Sequence, residues 1–156
     1  MRGSLAALAC AALFAGLPTP ASAAIYMKIK DIPGESAHKD HQQWIEIQNW
    51  SFGPAHMGAG GRLSAPAGCA GEAGPGLVML RRAADKASPL LQRSAKDGVS
   101  VGDVVVEAPG PAGAAYRYEL KDVVISNYAP GRGAPTESLA LNYGQVVWKN
   151  LGCAGG

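Results

Sequence analysis

The sequence is poor in the residues and runs from which many functional sites are built. Only three cysteines and three histidines occur among its 156 residues, and 14 basic residues stand against 12 acidic ones. A net charge this small creates no field that would attract nucleic acid or an anionic membrane surface. Beyond one N-terminal stretch, no apolar run approaches the roughly 20 residues of a membrane-spanning helix. We therefore expect no nucleic-acid partner and no membrane span.

Patterns typical of enzymes are also missing. His38 and His41 form an H-x-x-H pattern, but in a polar loop it lacks the helical spacing of the zinc-enzyme signature, and no further ligand is evident. Ser36, His38 and Asp40 are the residue types of a catalytic triad, yet no G-x-S-x-G nucleophile turn accompanies them. We therefore expect no catalytic residues, no metal, no cofactor and no enzyme activity. The simpler interpretation of this cluster is a solvated loop.

The first residues have the layout of a secretory signal peptide. Arg2 supplies a short positive region, Leu5–Leu17 is almost wholly apolar, and Ala21–Ala23 has the small-x-small form that signal peptidase accepts. The apolar stretch is too short to span a bilayer. This layout predicts cleavage between Ala23 and Ala24, and export of the remaining chain to the periplasm or the exterior.

Export also sets the predicted domain boundaries. Residues 1–23 are a signal peptide and residues 24–156 form one domain, long enough to bury a single core. An N-terminal helix packed on the domain is the first alternative, but it would need a polar face that this stretch lacks. A lipoprotein signal cleaved at Cys10 is the second, and the nine residues before Cys10 are too few for it.

Two cysteines remain after the predicted cleavage, Cys69 and Cys153. In an oxidising compartment such a pair is more often bridged than free, so we predict a disulfide between them. Two separately buried cysteines, or two thiols that bond to other chains, stay open as alternatives. A bridge across so long a loop would stabilise the fold by about 4 kcal/mol at most in the chain-entropy account.

Strand patterns dominate the predicted domain. Apolar alternation and short apolar runs predict strands at 25–30, 44–52, 77–80, 99–107, 116–126 and 138–149. One helix is predicted, with Ser88 as N-cap, Pro89 at its first position and Gly98 as its stop. The apolar phase of the last strand changes near Gly144, which predicts a β-bulge. The expected fold class is mainly β, a small antiparallel β-barrel or sandwich of about six or more strands with one flanking α-helix.

The segment 53–76 is predicted to be a long loop. It is rich in Gly, Ala and Pro and has almost no apolar periodicity. Loops of this length inside a compact domain are uncommon, and they are usually functional or disordered. A loop that becomes ordered on a partner and a disordered surface loop both fit this composition.

Several motifs, taken in order, resemble the Hcp family of type VI secretion. The first strand runs into Gly34, Glu35 and Ser36, His41 follows, and the next strand ends in an aromatic-Ser-aromatic-Gly sequence that starts at Trp50. Later stretches that are similar to the family lie at 85–91, 118–126 and 139–146. Together these motifs cover nearly all of the predicted domain apart from the long loop, so we expect an Hcp-like fold.

The resemblance implies a squat β-barrel with one flanking helix, six copies of which form a ring. Rings of the family stack into a hollow tube whose lumen can carry small effector proteins. The expected partners are therefore the chain itself, as a homo-hexamer, and secreted effectors. In the family the long loop reaches towards the neighbouring ring, which makes ring-stacking candidates of His56, Met57, Arg62 and Leu63.

The predicted signal peptide is a departure from this resemblance, because tube subunits of the family carry no cleaved signal. A second interpretation therefore stays open, in which the chain is a stand-alone exported β-barrel binding module outside any secretion tube. A hydrolase is the weakest interpretation, since no residues with suitable roles can be named.

Overall fold

A computed structural model describes residues 24–52, 68–110 and 113–153, and within these ranges the chain forms nine strands and one helix. The strands are β1 (Ile25–Ile29), β2 (Ile45–Ile47), β3 (Asn49–Phe52), β4 (Ala70–Ala73), β5 (Gly76–Ala83), β6 (Ser100–Pro109), β7 (Ala115–Pro130), β8 (Thr136–Tyr143) and β9 (Gln145–Asn150), and the helix is α1 (Ser88–Asp97). All pairings between these nine described strands are antiparallel. The predicted mainly β fold with one helix is confirmed.

Residues 45–52 close the sheet into a barrel. β2 pairs with β1, and β3 pairs with β5. Only Gln48 separates β2 from β3, and its backbone N–H donates to the Arg81 carbonyl at 2.9 Å. The other neighbours follow in the order β1, β6, β7, β8 and β5. The segment 45–52 therefore pairs with β1 at one end of this order through β2, and with β5 at the other end through β3.

Two pairs of strands, β8 with β9 and β4 with β5, each continue in one register along their neighbours. β8 and β9 lie along the same side of β7 and keep one register past Gly144. β4 and β5 likewise keep one register along β9 and β8. The barrel thus consists of six continuous strands, and β4 and β9 extend beyond the strand that closes it.

The β-bulge predicted at Gly144 is wrong, because the register does not slip there. Gly144 lies opposite Asp122 of β7, whose backbone has a φ of 51°. The buried side chains of β7 change phase at Asp122, from Leu120 to Val123, just as those of β8 and β9 change at Gly144. The two paired segments therefore change their buried face at the same point. The register shift in the β7–β8 pairing lies instead between Ile125 and Asn127.

Helix α1 packs on β7 and buries Leu91 completely. Its N-cap is Ala87, so the prediction of Ser88 as N-cap is wrong by one residue. The Ser88 hydroxyl instead accepts the Asp85 N–H at 3.0 Å, and the Asp85 carboxylate accepts the Ala87 N–H at 2.7 Å. Gly98 ends the helix with a φ of 64°, as the sequence predicts. In the described part of the chain no helix is long and apolar enough to cross a membrane.

The predicted loop at 53–76 ends earlier than expected. Ala70–Ala73 form β4, which the sequence hides because Ala and Gly carry little strand signal. Residues 53–67 lie outside the described residues. Residues 1–23 do too, and with them the predicted signal peptide.

Candidate functional site

The Gly-Glu-Ser motif forms a tight backbone contact with the start of the closing strand. The Gly34 N–H donates to the Gln43 carbonyl at 2.7 Å, and the Ser36 N–H donates to the Trp44 carbonyl at 3.1 Å. A Cβ at Gly34 would lie 2.2 Å from the Trp44 carbonyl oxygen, so only glycine allows this approach. Ser36 is buried and Glu35 is exposed. The motif therefore fixes the backbone that leads into the barrel.

His41 is the centre of an aromatic and charged cluster on the outside of the barrel. Its ring stacks on Tyr26, with centroids 4.2 Å apart, and meets the edge of Trp44 at 4.8 Å. Its Nε2 lies 2.6 Å from the Glu107 carboxylate, and its side chain is 14% exposed. His41 therefore ties the loop before β2 to β6 through Glu107.

A row of ion pairs continues this cluster along the outer face of β6 and β7. Arg117 lies 3.5 Å from Glu107 and 3.8 Å from Glu119. Lys121 lies 3.7 Å from Glu119 and donates to Asp103 at 2.8 Å. The hydrogen bond to Asp103 raises the pKa of Lys121, and the same bond lowers the pKa of Asp103. This face is charged in alternating sign, so it carries no net field of one sign.

The residues that resembled a triad or a metal site have local structural roles. The Ser36 hydroxyl accepts the backbone N–H of His38 at 3.2 Å, and Nδ1 of His38 lies 3.3 Å from the backbone nitrogen of Asp40. Nδ1 of His38 also lies 3.1 Å from Nδ1 of His41. Across the described residues, no group of three or more His, Cys, Asp or Glu side chains is placed to hold a metal ion.

Trp50 lies in an aromatic cluster where β3 closes the barrel. Its ring is 4.7 Å from Tyr118 and 5.0 Å from Phe52, and Phe52 in turn meets the edge of Tyr143 at 6.4 Å. Burial raises the pKa of Tyr118 to about 12 and also raises the pKa of Tyr143. The aromatic-Ser-aromatic sequence therefore anchors the closing strand inside the fold.

A disulfide joins Cys69 and Cys153, whose Cα atoms lie 5.7 Å apart. The bond links the residue before β4 to the chain just after β9, across a sequence separation of 84. The Asn150 N–H donates to the Cys69 carbonyl at 2.7 Å beside it. The predicted pairing of these two cysteines is thus present in the structure. The ring-stacking candidates His56, Met57, Arg62 and Leu63 lie outside the described residues.

The sequence of the matched region identifies the family. The profile of the family described as "Type VI secretion system effector, Hcp" matches residues 26–150, which include almost the whole barrel. The chain belongs to the Hcp family. No curated protein matches the sequence.

Solved Hcp structures share the fold of this chain. Hcp1 from Salmonella typhimurium is 19% identical, with a TM-score of 0.65 over 86% of this chain and 89% of that one. The secreted protein Hcp3 from Pseudomonas aeruginosa is 17% identical, with a TM-score of 0.60 over 83% and 91%. A type VI secretion effector from Yersinia pestis is 17% identical, with a TM-score of 0.58 over 81% and 99%.

The sequence motifs that suggested the Hcp family do not form one pocket in this member of it. Gly34, Ser36 and His41 shape the loop before β2 from outside the barrel, whereas Trp50 packs at the barrel closure. This separation fits residues that hold an architecture rather than residues that meet at one reacting substrate.

Sequence reasoning missed a buried ionic cluster beneath α1 of this Hcp chain. Arg82 is completely buried, and its guanidinium contacts Asp85 and lies 3.3 Å from Glu137. The Tyr128 hydroxyl donates to the other Glu137 oxygen at 2.6 Å. Burial, with this bond to Glu137, raises the pKa of Tyr128 to about 12. The alternation of β5 could have indicated the cluster, because Arg82 stands two residues after Leu80 and four after Val78, on the strand face that points into the core.

Proposed function

We propose that this chain is a structural subunit of type VI secretion that assembles into hexameric rings. The rings stack into a tube, and the tube carries secreted effector proteins in its lumen. The observation that carries this proposal is the match to the Hcp family over residues 26–150. This range runs from the second residue of β1 to the end of β9. The fold shared with solved Hcp proteins supports it.

Exposed apolar side chains support association between copies. Met79, Leu90, Val99 and Leu151 are between 42% and 62% exposed in the single chain. Residues of this kind become favourable contacts when a neighbouring copy covers them. Met79 lies on β5 and Leu90 on α1, whereas Val99 follows α1 and Leu151 follows β9. A ring needs such separate positions, because each copy must offer two different faces to its neighbours.

Light scattering of the purified protein under oxidising conditions tests the ring. A mass of about six chains is expected for one closed ring with six-fold symmetry, and larger species that grow with concentration are expected from stacking. A monomer that persists at high concentration would contradict the proposal.

Four single substitutions to aspartate sharpen this test, at Met79, Leu90, Val99 and Leu151. Each site is exposed in the single chain, so a new charge there should leave the folded monomer intact. We expect at least one of the four to break the hexamer into monomers. Gln42→Asp, which adds the same charge at an exposed loop residue, is the matched control and should stay hexameric.

We also propose that the chain is exported after cleavage between Ala23 and Ala24. The layout of residues 1–23 and the Cys69–Cys153 bond both suit passage into an oxidising space. The mass of the protein recovered outside the cytoplasm should correspond to a chain that begins at Ala24. A retained N-terminus would refute this part alone.

The second candidate function is a stand-alone exported binding module. The disulfide favours it, since such a bond is typical of proteins that work in an oxidising space outside the cytoplasm. A monomer in light scattering, together with the chain mass that begins at Ala24, would favour this candidate over the tube subunit.

A further inference from the structure

Strand β4 lies at the margin of the fold. It pairs with β9 through four residue pairs, from Ala70 opposite Lys149 to Ala73 opposite Val146. Within the described part of the chain no strand pairs with its other edge. Among the described residues, the pairing of the closing strand extends to Phe52 opposite Val78 and includes no residue of β4. In the described residues, the closure of the barrel therefore uses no pairing of β4.

The side chains of β4 contribute few non-covalent contacts to hold it on β9. Its four residues are two alanines, one glycine and one glutamate, which bury little side-chain surface. Gly71 lies against the Trp148 ring, so closely that a Cβ there would be 2.3 Å from it, and Ala73 packs against the edge of the core. One exposed hydrogen bond adds to this, from Gln145 to Glu72 at 3.1 Å.

The disulfide adds a covalent attachment of β4 to β9. It fixes the residue before β4 to the residue three positions after β9, at the far end of the four-residue ladder. Cys69 is exposed and Cys153 is partly exposed, so the bond can be reached by a soluble thiol. A covalent link at the end of a short ladder keeps the two strands at a high effective concentration.

We propose that the Cys69–Cys153 disulfide is a redox-sensitive clamp that holds the edge strand β4 on the barrel. A small dithiol reduces it in two steps: one thiolate attacks a cystine sulfur to form a mixed disulfide, and the second thiol displaces the remaining cysteine. The dithiol becomes a cyclic disulfide, and Cys69 and Cys153 each leave as a thiol. β4 then separates from β9 while the barrel stays closed.

The clamp also controls assembly, a step that rests on the proposed ring function. The edge of Ala70–Ala73 that no described strand covers is, when ordered, a template on which another chain can pair. A released strand must first be ordered before it can pair, which weakens the contact. The oxidised chain is therefore the form that assembles with further copies, and reduction disassembles them.

Hydrogen exchange with mass spectrometry tests the clamp directly. Three samples of the full chain are compared, all with Cys10→Ser: the oxidised protein, the protein reduced with dithiothreitol, and the Cys69→Ser, Cys153→Ser variant. Reduction should speed exchange of the β4 amides by at least about tenfold, whereas the amides shared by β6 and β7 stay protected. The double-serine variant should match the reduced protein.

The double-serine variant is also the control for the reductant, since dithiothreitol should change nothing in it. Protection of β4 that survives reduction would overturn the clamp. Loss of protection in β4 and in the barrel together would overturn it as well, because the bond would then support the whole fold.

Light scattering of the same samples reads the assembly step separately. A fall in mass on reduction, together with the release of β4, supports control of assembly. Release of β4 with an unchanged mass would refute that control and leave the clamp standing. If no sample forms an oligomer, the proposed ring function fails, and the exchange data still decide the clamp.

Discussion

Replacing Arg82 with methionine should reveal how much the fold depends on its buried ionic cluster. The Arg82 side chain is completely buried and that of Glu137 is 1% exposed, so neither charge can turn to water. In the variant, Glu137 remains in the core without its cation. Removing one partner of a buried ion pair costs about 3–5 kcal/mol of folding free energy.

The structure places the expected loss at the lower end of that range. The Tyr128 hydroxyl still donates to the Glu137 carboxylate at 2.6 Å, which leaves one strong hydrogen bond to the stranded charge. Asp85 keeps its bond from the Ala87 N–H and part of its exposure. We therefore expect Arg82→Met to lower the free energy of unfolding by about 3 kcal/mol, a large fraction of the roughly 5–15 kcal/mol typical of a domain.

Urea unfolding of the oxidised chain, followed by circular dichroism, measures this loss. The double variant Arg82→Met, Glu137→Met removes both charges and should recover most of it, because an apolar replacement of a buried pair is often neutral. Tyr128→Phe keeps the Arg82–Glu137 pair and should cost only about 1–2 kcal/mol. A loss below about 1 kcal/mol in Arg82→Met, or a double variant as unstable as the single one, would refute this reasoning.

Three further predictions use other contacts. Gly34→Ala should cost about 1–3 kcal/mol in the same assay, because the new Cβ meets the Trp44 carbonyl oxygen, whereas Gly74→Ala, with open space around it, should be near neutral; equal losses would contradict this. Stability should fall between about pH 10 and pH 12, because burial raises the folded pKa of Tyr118 to about 12 and favours the neutral phenol. Tyr118→Phe should make that fall smaller but not abolish it, because Tyr128 keeps its own raised pKa; parallel stability curves for the two proteins would count against this. Glu107→Gln should cost about 1 kcal/mol, because it removes the charge that faces His41 at 2.6 Å and Arg117 at 3.5 Å. An unchanged unfolding midpoint would show that these two contacts do not stabilise the fold.

Local patterns predict the regular parts of this fold well. The alternation at Tyr116, Tyr118 and Leu120 and the Pro89-to-Gly98 helix depend on neighbours in sequence, and the structure contains both. β4 was missed because Ala and Gly are typical of loops, and it is a strand only because β9 lies beside it. The shared turn at Asp122 and Gly144 was read as a bulge in one strand, because a single strand cannot reveal what its partner does.

In the candidate site too, single residues could be predicted from the sequence, but their partners on other strands could not. The sequence indicated His41, but its partner Glu107 is 66 residues away, and only the β1–β6 pairing brings them together. Arg82 and Glu137 stand at core-facing positions of two paired strands, where a charge is tolerable only if the opposite strand supplies the counter-charge. Such pairs cannot be recognised until the register between strands is known.

The position of the disulfide relates its formation to the pairing of two long strands. In the folded chain, Cys69 and Cys153 are held at bonding distance because the strand 70–83 lies in register along the strand 136–150. Because Cys153 follows the last strand, the bond cannot form until every other part of the barrel has been made. In a preparation that has met no reductant, free thiols at Cys69 and Cys153 would therefore mark the molecules in which this bond has not yet formed.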